Sequence, residues 1–302
     1  MKRKRTLLAA ATLLFWLAAL LPARAELAGA APEDLYLWRL INEARVHPLQ
    51  TLARFGIDPA EARQALGEDA WILDQGLPPL AWNGSLYAAA AAHRADMAAR
   101  SYYGHWSPEG IGPEDRAAAA GYDPLEMGET LGFLALFHFL DARDGAAAVF
   151  AQWLRDELTP APREPRKIFS PFLTEAAVSF GAARMRLGSG PAVNAYVAVA
   201  LAAAPAEPNP PFVLGNVTTA GPWLPADPLG TPGELIVYYH DIPNGLHFQQ
   251  PVGPAGAYQF PVTGPLVGLE VVEAATGRIL IRRLVEDFGE NQLLDLAVSP
   301  GP

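Results

Sequence analysis

The chain has 302 residues, room for about two domains of ordinary size. Apolar residues make up 51%, the formal charge at neutral pH is −10, and there is no cysteine. That acidity, with no basic cluster set against it, argues against nucleic-acid binding; the missing thiols exclude disulfides, a thiolate nucleophile or metal ligand, and a lipid-modified cysteine.

Residues 1–25 read as a secretory signal peptide. Lys2-Arg3-Lys4-Arg5 is a basic start, Leu7 to Leu21 is an uncharged apolar run, and Ala23-Arg24-Ala25 is a small-x-small cleavage site. An uncleaved anchor is the alternative, but the run is shorter than the roughly 20 residues a span needs. No later segment is apolar for that length. The expected product is an exported protein, periplasmic or extracellular, with no membrane span after cleavage. Losing the leader's five basic residues takes the charge from −10 to −15.

From Pro32 to about Ala203 the pattern is mainly helical. Leu37, Leu40, Ile41 and Ala44 recur at helical spacing behind Pro32-Glu33-Asp34. Asp58-Pro59-Ala60-Glu61 supplies an N-cap, a proline at N1 and an acidic first turn, with Gly67 as the C-cap. Ser85 to Arg100 and Ala146 to Glu157 are further helices. Ala176 to Met185 and Ala192 to Ala203 are the clearest strands, the second alternating through Val193, Ala195, Val197, Val199 and Leu201. Helices ahead of strands predict an α/β domain over 33–203, with helical layers on a sheet.

Pro205-Ala206-Glu207-Pro208-Asn209-Pro210-Pro211 marks an extended, semi-rigid linker over 204–211. Beyond it, Val213–Val217, Glu234–Tyr239, Ala257–Val262, Val267–Glu273, Arg278–Arg283 and Leu293–Val298 are short candidate strands divided by Gly, Pro and Asn turns. They predict a small all-β antiparallel sandwich over 212–302. Ala275-Thr276-Gly277-Arg278 is a hairpin turn. His240-Asp241-Ile242-Pro243-Asn244-Gly245-Leu246-His247 holds oxygen donors, but a proline occupies a ligand position of a calcium loop, so it also reads as a hairpin.

The candidate site centres on His105 and Glu129, in Gly104-His105-Trp106-Ser107-Pro108-Glu109 and Met127-Gly128-Glu129-Thr130. A histidine and an acid among small turn residues can bind a cation, exchange a proton, hold water or simply tie two loops together. Ser107 beside His105 invites a hydrolase reading. Near neighbours in a turn rarely align for attack, no Gly-x-Ser-x-Gly elbow exists, and the hydroxyl before Pro108 suits turn chemistry. His93, inside an alanine-rich helix, reads as a core histidine.

Several stretches taken together resemble the CAP superfamily, also called SCP or pathogenesis-related-1-like. They are Leu40-Ile41-Asn42-Glu43-Ala44-Arg45, Leu77-Pro78-Pro79-Leu80-Ala81-Trp82-Asn83, the helix bearing Leu86, Ala90, His93, Asp96 and Met97, the His105 block through Gly110, then Pro113, Arg116, Gly121-Tyr122, Gly128-Glu129-Thr130, Trp153 and Phe180-Gly181. The resemblance covers roughly residues 33–203. It implies an α-β-α sandwich with a broad cleft carrying two histidines and two acids.

Carried over position by position, His105 matches the family's His-x-Ser-Pro histidine. Glu129 matches its Gly-Glu-Asn glutamate, with Thr130 in place of asparagine. The second acid, about a helical turn after Trp153, is Asp156 or Glu157. The second histidine is missing: none occurs between His138 and His240, and Glu164 falls where it is expected. One imidazole among carboxylates suits Mn, Mg or Ca better than zinc, if a divalent cation binds at all. Without a cation, crowded carboxylates would share protons and hold water.

The expected function is that of an exported, non-enzymatic protein. Its cleft would take a small ligand such as a lipid, a divalent cation, or a cell-envelope or extracellular protein. One alternative is a metal-assisted peptidase or cell-wall hydrolase with Glu129 as base. Another is a structural envelope protein with a vestigial cleft. Fold-level analogy transfers no activity by itself.

Overall fold

The computed structural model describes residues 27, 29–136, 140–159, 166–219, 235–286 and 288–298. The expected leader, His138 and Glu164 lie outside them. The first body begins with helices α1 (Pro32–Val46), α2 (Pro48–Arg54), α3 (Pro59–Leu66) and α4 (Ile72–Gln75). Strand β1 (Ala81–Trp82), helix α5 (Gly84–Arg100), helix α6 (Pro113–Ala119), strand β2 (Pro124–Ala135) and helix α7 (Ala142–Glu157) follow. Strands β3 (Glu175–Met185) and β4 (Val193–Pro205) complete it.

The sheet order is β1-β3-β4-β2, with β1 parallel to β3 and the other pairs antiparallel. Strands β3 and β4 are buried over long continuous runs rather than in alternation. That is the signature of a sheet covered on both faces. Helices α5 and α6 lie on one face, where Arg94 reaches Ser179 and Arg116 reaches Glu129. Helix α7 lies on the other. A Cβ on Gly132 of β2 would collide with Val149 and stand against Trp153, so the glycine admits α7 to this face. Trp153 then donates its indole N–H to the Leu131 carbonyl at 2.9 Å.

The stretches that carry the family resemblance have physical jobs. Asn42 accepts from the Leu80 amide (2.7 Å) and donates to its carbonyl (3.0 Å), while Trp38 donates to the same carbonyl. Together they pin Leu-Pro-Pro-Leu to α1. Trp38 also meets Trp82 edge-on at 5.7 Å, a contact worth about 0.5–1.5 kcal/mol beyond the area it buries. Asp58 caps α3 through the Ala60 amide, and Gly67 follows it, as expected.

The second body holds β5 (Phe212–Thr219), β6 (Leu235–Asp241), β7 (Leu246–Pro251), β8 (Ala257–Pro261), β9 (Leu266–Glu273), β10 (Ile279–Glu286), β11 (Gln292–Leu293) and β12 (Leu296–Val298). One sheet is antiparallel, in the order β10-β9-β6-β7. The other centres on β5, with β8 antiparallel and the short β11 and β12 parallel to it. The run expected as one strand over 293–298 is two, because Asp295 turns inward to accept the Asn216 amide at 2.8 Å. Val213, Val217, Val237, Tyr239, Tyr258, Phe260, Leu269 and Leu296 fill the core between the sheets.

The bodies touch. Gln259 accepts from the Trp82 amide (2.7 Å) and donates to the Trp82 carbonyl (3.0 Å), adding a side-chain "rung" to β1. Asn291 donates to the carbonyls of Pro79 and Thr174. In the proline-rich stretch Asn209 hydrogen-bonds the buried Glu175, which also accepts from Asn83 and Tyr122. Leu214 and Ala257 join the core of the first body. Among the described residues no helix is long and apolar enough to cross a membrane.

Candidate functional site

Strand β2 is an edge strand, and a cleft of about 290 Å³ runs along its outer edge. One wall is the segment from His105 to Glu114. The other is the loop carrying Arg166, Lys167 and Leu173. Glu126 to Glu129 form the floor. A Cβ on Gly112 would strike the Trp106 ring, so the glycine lets that ring fold against the start of α6. Trp106 is nonetheless 61% exposed at the lip.

Glu129 is the buried centre, its side chain 1% exposed. One carboxylate oxygen faces His105 Nδ1 at 2.9 Å, and the other accepts from Arg116 Nη2 at 2.7 Å. Arg116 also donates to the carbonyls of His105 (3.0 Å) and Ile111 (2.9 Å). It therefore holds the wall and neutralises the floor at once. His93 lies beneath, with Nε2 3.0 Å from the Gly104 carbonyl and 3.9 Å from Glu129. Burial is the main cause pushing the His93 pKa below 6.5. A neutral imidazole donating to Gly104 fits that environment, and the core reading of His93 agrees with its burial.

The two candidates for the second acid have separate fates. Glu157 is buried, and its carboxylate accepts from the amides of Lys167 (2.7 Å), Ile168 (2.7 Å) and Phe169 (3.1 Å). Burial pushes its pKa up, and those amides pull against that. It does not line the cleft; it builds the loop that does. Arg45 grips the same loop from α1, donating to the carbonyls of Ile168 (2.7 Å), Ser170 (2.8 Å) and Leu173 (3.3 Å). Asp156 does not line the cleft either, but it is felt at its margin. Burial pushes the Tyr103 phenol up to about 12, with the Asp156 and Glu129 carboxylates adding to the shift. The Asp156 pKa is itself raised by burial.

Ser107 is occupied by its turn, as the sequence suggested. Its hydroxyl accepts from the amides of Glu109 and Ile111 and donates to the Glu109 carboxylate at 3.0 Å. Arg116 enters the sequence reading only through the family resemblance, and its pairing with Glu129 is not foreseen there. Its local signal is its place one turn into a helix opened by Gly112-Pro113.

The donor set among the described residues does not fit the hard divalent cation that the sequence leaves possible. Both Glu129 oxygens carry hydrogen-bond donors, one of them a guanidinium that no cation would join. Glu157 is enclosed by amides. Among the described residues no group of three or more His, Asp or Glu side chains is arranged to hold a metal ion. The arrangement instead offers an imidazole held in place by a paired acid, beside two basic side chains, the carboxylates of Glu114 and Glu126, and an exposed indole.

The family model described as CAP, cysteine-rich secretory protein family, matches residues 38–200. Among solved structures, the chain is similar to an extracellular protein containing a SCP domain from Bacillus anthracis str. Ames, at 17% identity and a TM-score of 0.29. That match covers 51% of this chain and 43% of the other, so it spans less than half of that protein's length. No curated protein matches the chain. The family match spans more than half of the chain and every element that builds the cleft, and this cysteine-free protein belongs to the CAP family.

Proposed function

We propose that this is an exported, non-enzymatic binding protein whose β2-edge cleft takes a small amphipathic ligand. Export is supported by the leader over 1–25 and by family membership. The observation that carries the binding reading is the pairing of Glu129 with the Arg116 guanidinium and its hydrogen bond with His105. With Glu129 paired, the charge that faces a ligand is set by Glu114 and Glu126 on one side and by Arg166 and Lys167 on the facing wall, a mixed lining that admits a polar or charged head group. Trp106, Met127 and Leu173 supply apolar surface for the remainder of the ligand. An exposed indole beside a concave polar site is a good anchor, because its ring buries apolar area at low entropic cost.

Neutralising a paired buried acid is a structural use of a carboxylate, and it leaves Glu129 poorly placed as a general base. A base must hold a lone pair within reach of the proton it takes. The test is titration of the mature protein with dodecyl phosphate and with dodecanoate, followed by calorimetry. Replacing Trp106 by alanine should weaken binding about tenfold, the equivalent of about 1.4 kcal/mol. The doubly substituted Arg166→Gln, Lys167→Gln protein should bind the charged amphiphiles more weakly but not dodecanol. Binding indifferent to all three changes would sink the reading.

A further inference from the structure

We propose that His240 and His247 form a two-imidazole chelate for a borderline divalent ion, copper(II) or zinc, on the outer face of the second body. The two residues are direct partners across the β6–β7 hairpin, and their Nδ1 atoms stand 2.7 Å apart. The turn between them is locked by Asp241, whose carboxylate accepts from the Asn244 amide and side chain and from Thr263 Oγ1. Val237, Tyr239 and Asp241 alternate into the core, so His240 projects outward with Tyr238 and Glu270. The adjoining position on β9 is Gly268, which leaves the space beside His240 open.

Glu270 decides which nitrogen of His240 carries the proton. Its carboxylate lies 3.7 Å from His240 Nε2 and is held by Arg282 at 2.6 Å. Nε2 is buried and has no hydrogen-bond partner among the described residues. A bare lone pair facing a carboxylate is unfavourable, so the proton resides on Nε2 and Nδ1 is left as the lone pair. That is the tautomer a metal needs, with a carboxylate behind the ring as the orienting group. In the metal-free pair His247 donates its Nδ1–H to His240. On binding, that proton moves to His247 Nε2 or to solvent, and both Nδ1 atoms become ligands.

Metal–imidazole bonds of about 2.0–2.1 Å require the two nitrogens to separate to about 3 Å, a small ring rotation. His247 is exposed and can make it. Two nitrogens and solvent ligands suit copper(II) first and zinc second, and do not suit calcium or magnesium. This site is separate from the β2-edge cleft and does not depend on the reading given for it.

The experiment is calorimetric titration of the mature protein with copper(II) and with zinc at pH 7.5, alongside the copper paramagnetic resonance spectrum. One ion per chain is expected, with coupling to two nitrogens. His247→Ala should raise Kd at least tenfold, and Glu270→Gln should raise it roughly tenfold through the lost orienting carboxylate. His105→Ala should leave Kd unchanged. Absence of binding, or binding indifferent to His247→Ala and His240→Asn, overturns the proposal. Should either variant fail to fold, a wild-type spectrum without two-nitrogen coupling overturns it equally.

Discussion

The β2-edge cleft and the β6–β7 hairpin each bring an imidazole, a carboxylate and an arginine together, and they use them in opposite ways. In the cleft, Glu129 is buried and both its oxygens are bonded, one to His105 and one to Arg116. The acid is a strut, and the histidine is held by it. On the hairpin, Glu270 stands behind His240 without a direct bond, and the ring's other nitrogen, Nδ1, faces a second histidine. What distinguishes a ligand from a strut is where the carboxylate's partners lie, and residue type alone does not say.

Removing the strut should have the largest effect. Arg116→Ala leaves the buried Glu129 charge without its cation and frees the His105 and Ile111 carbonyls. A loss of about 3–5 kcal/mol is expected, read by urea denaturation. A loss below about 1 kcal/mol would mean that the cleft acid is solvated and that the two regions are alike.

A smaller effect should follow from loosening one body from the other. Gln259→Ala removes its two hydrogen bonds to the buried Trp82 backbone, for about 1–3 kcal/mol. Metal affinity at the hairpin should be unchanged in this variant, because β6 and β7 pair within their own sheet. A parallel loss of metal binding would show that the hairpin geometry is set by the first body.

The smallest effect concerns His93. Its folded-state pKa lies below the ordinary 6.5, so the unfolded chain takes up the proton more readily. Stability therefore rises with pH through the window ending near 6.5 and is lost as pH falls below it. His93→Gln should flatten that dependence between about pH 5 and 7, measured as the change in denaturation midpoint against wild type. An unchanged slope would place the titration in another group.

Much of the first body was legible because its signals are local. The capped helix after Asp58, the alanine-rich α5 and the apolar runs of β3 and β4 can each be read from a short window. The sequence does not mark β2 as a strand, although Gly128-Glu129-Thr130 stands out within it. Its glycines and glutamates lower strand propensity, and its place comes from pairing with β4 over eleven positions. Strand β7 was missed for a related reason: Leu246-His247-Phe248-Gln249-Gln250 lacks clean alternation, and the hairpin turn specifies it instead.

The site was legible by residue type and illegible by partnership. His105 and Glu129 do meet, as expected. Nothing local distinguishes Asp156 from Glu157, since which one turns inward depends on amides ten to twelve residues away. The pairing of Arg116 with Glu129 is likewise a contact between a helix and a strand. Of the carboxylates counted along the chain, Glu129 and Glu157 are bonded to partners within the fold, and Glu164 lies outside the described residues.

The most direct measurement is a manganese(II) titration of the mature protein and of its Glu129→Gln variant, followed by the loss of the free-ion resonance signal. A neutralised cleft acid should give no site that depends on Glu129, with identical curves for both proteins. One tight manganese ion bound by the wild type and lost in Glu129→Gln would contradict the strut and restore the cleft as a cation centre.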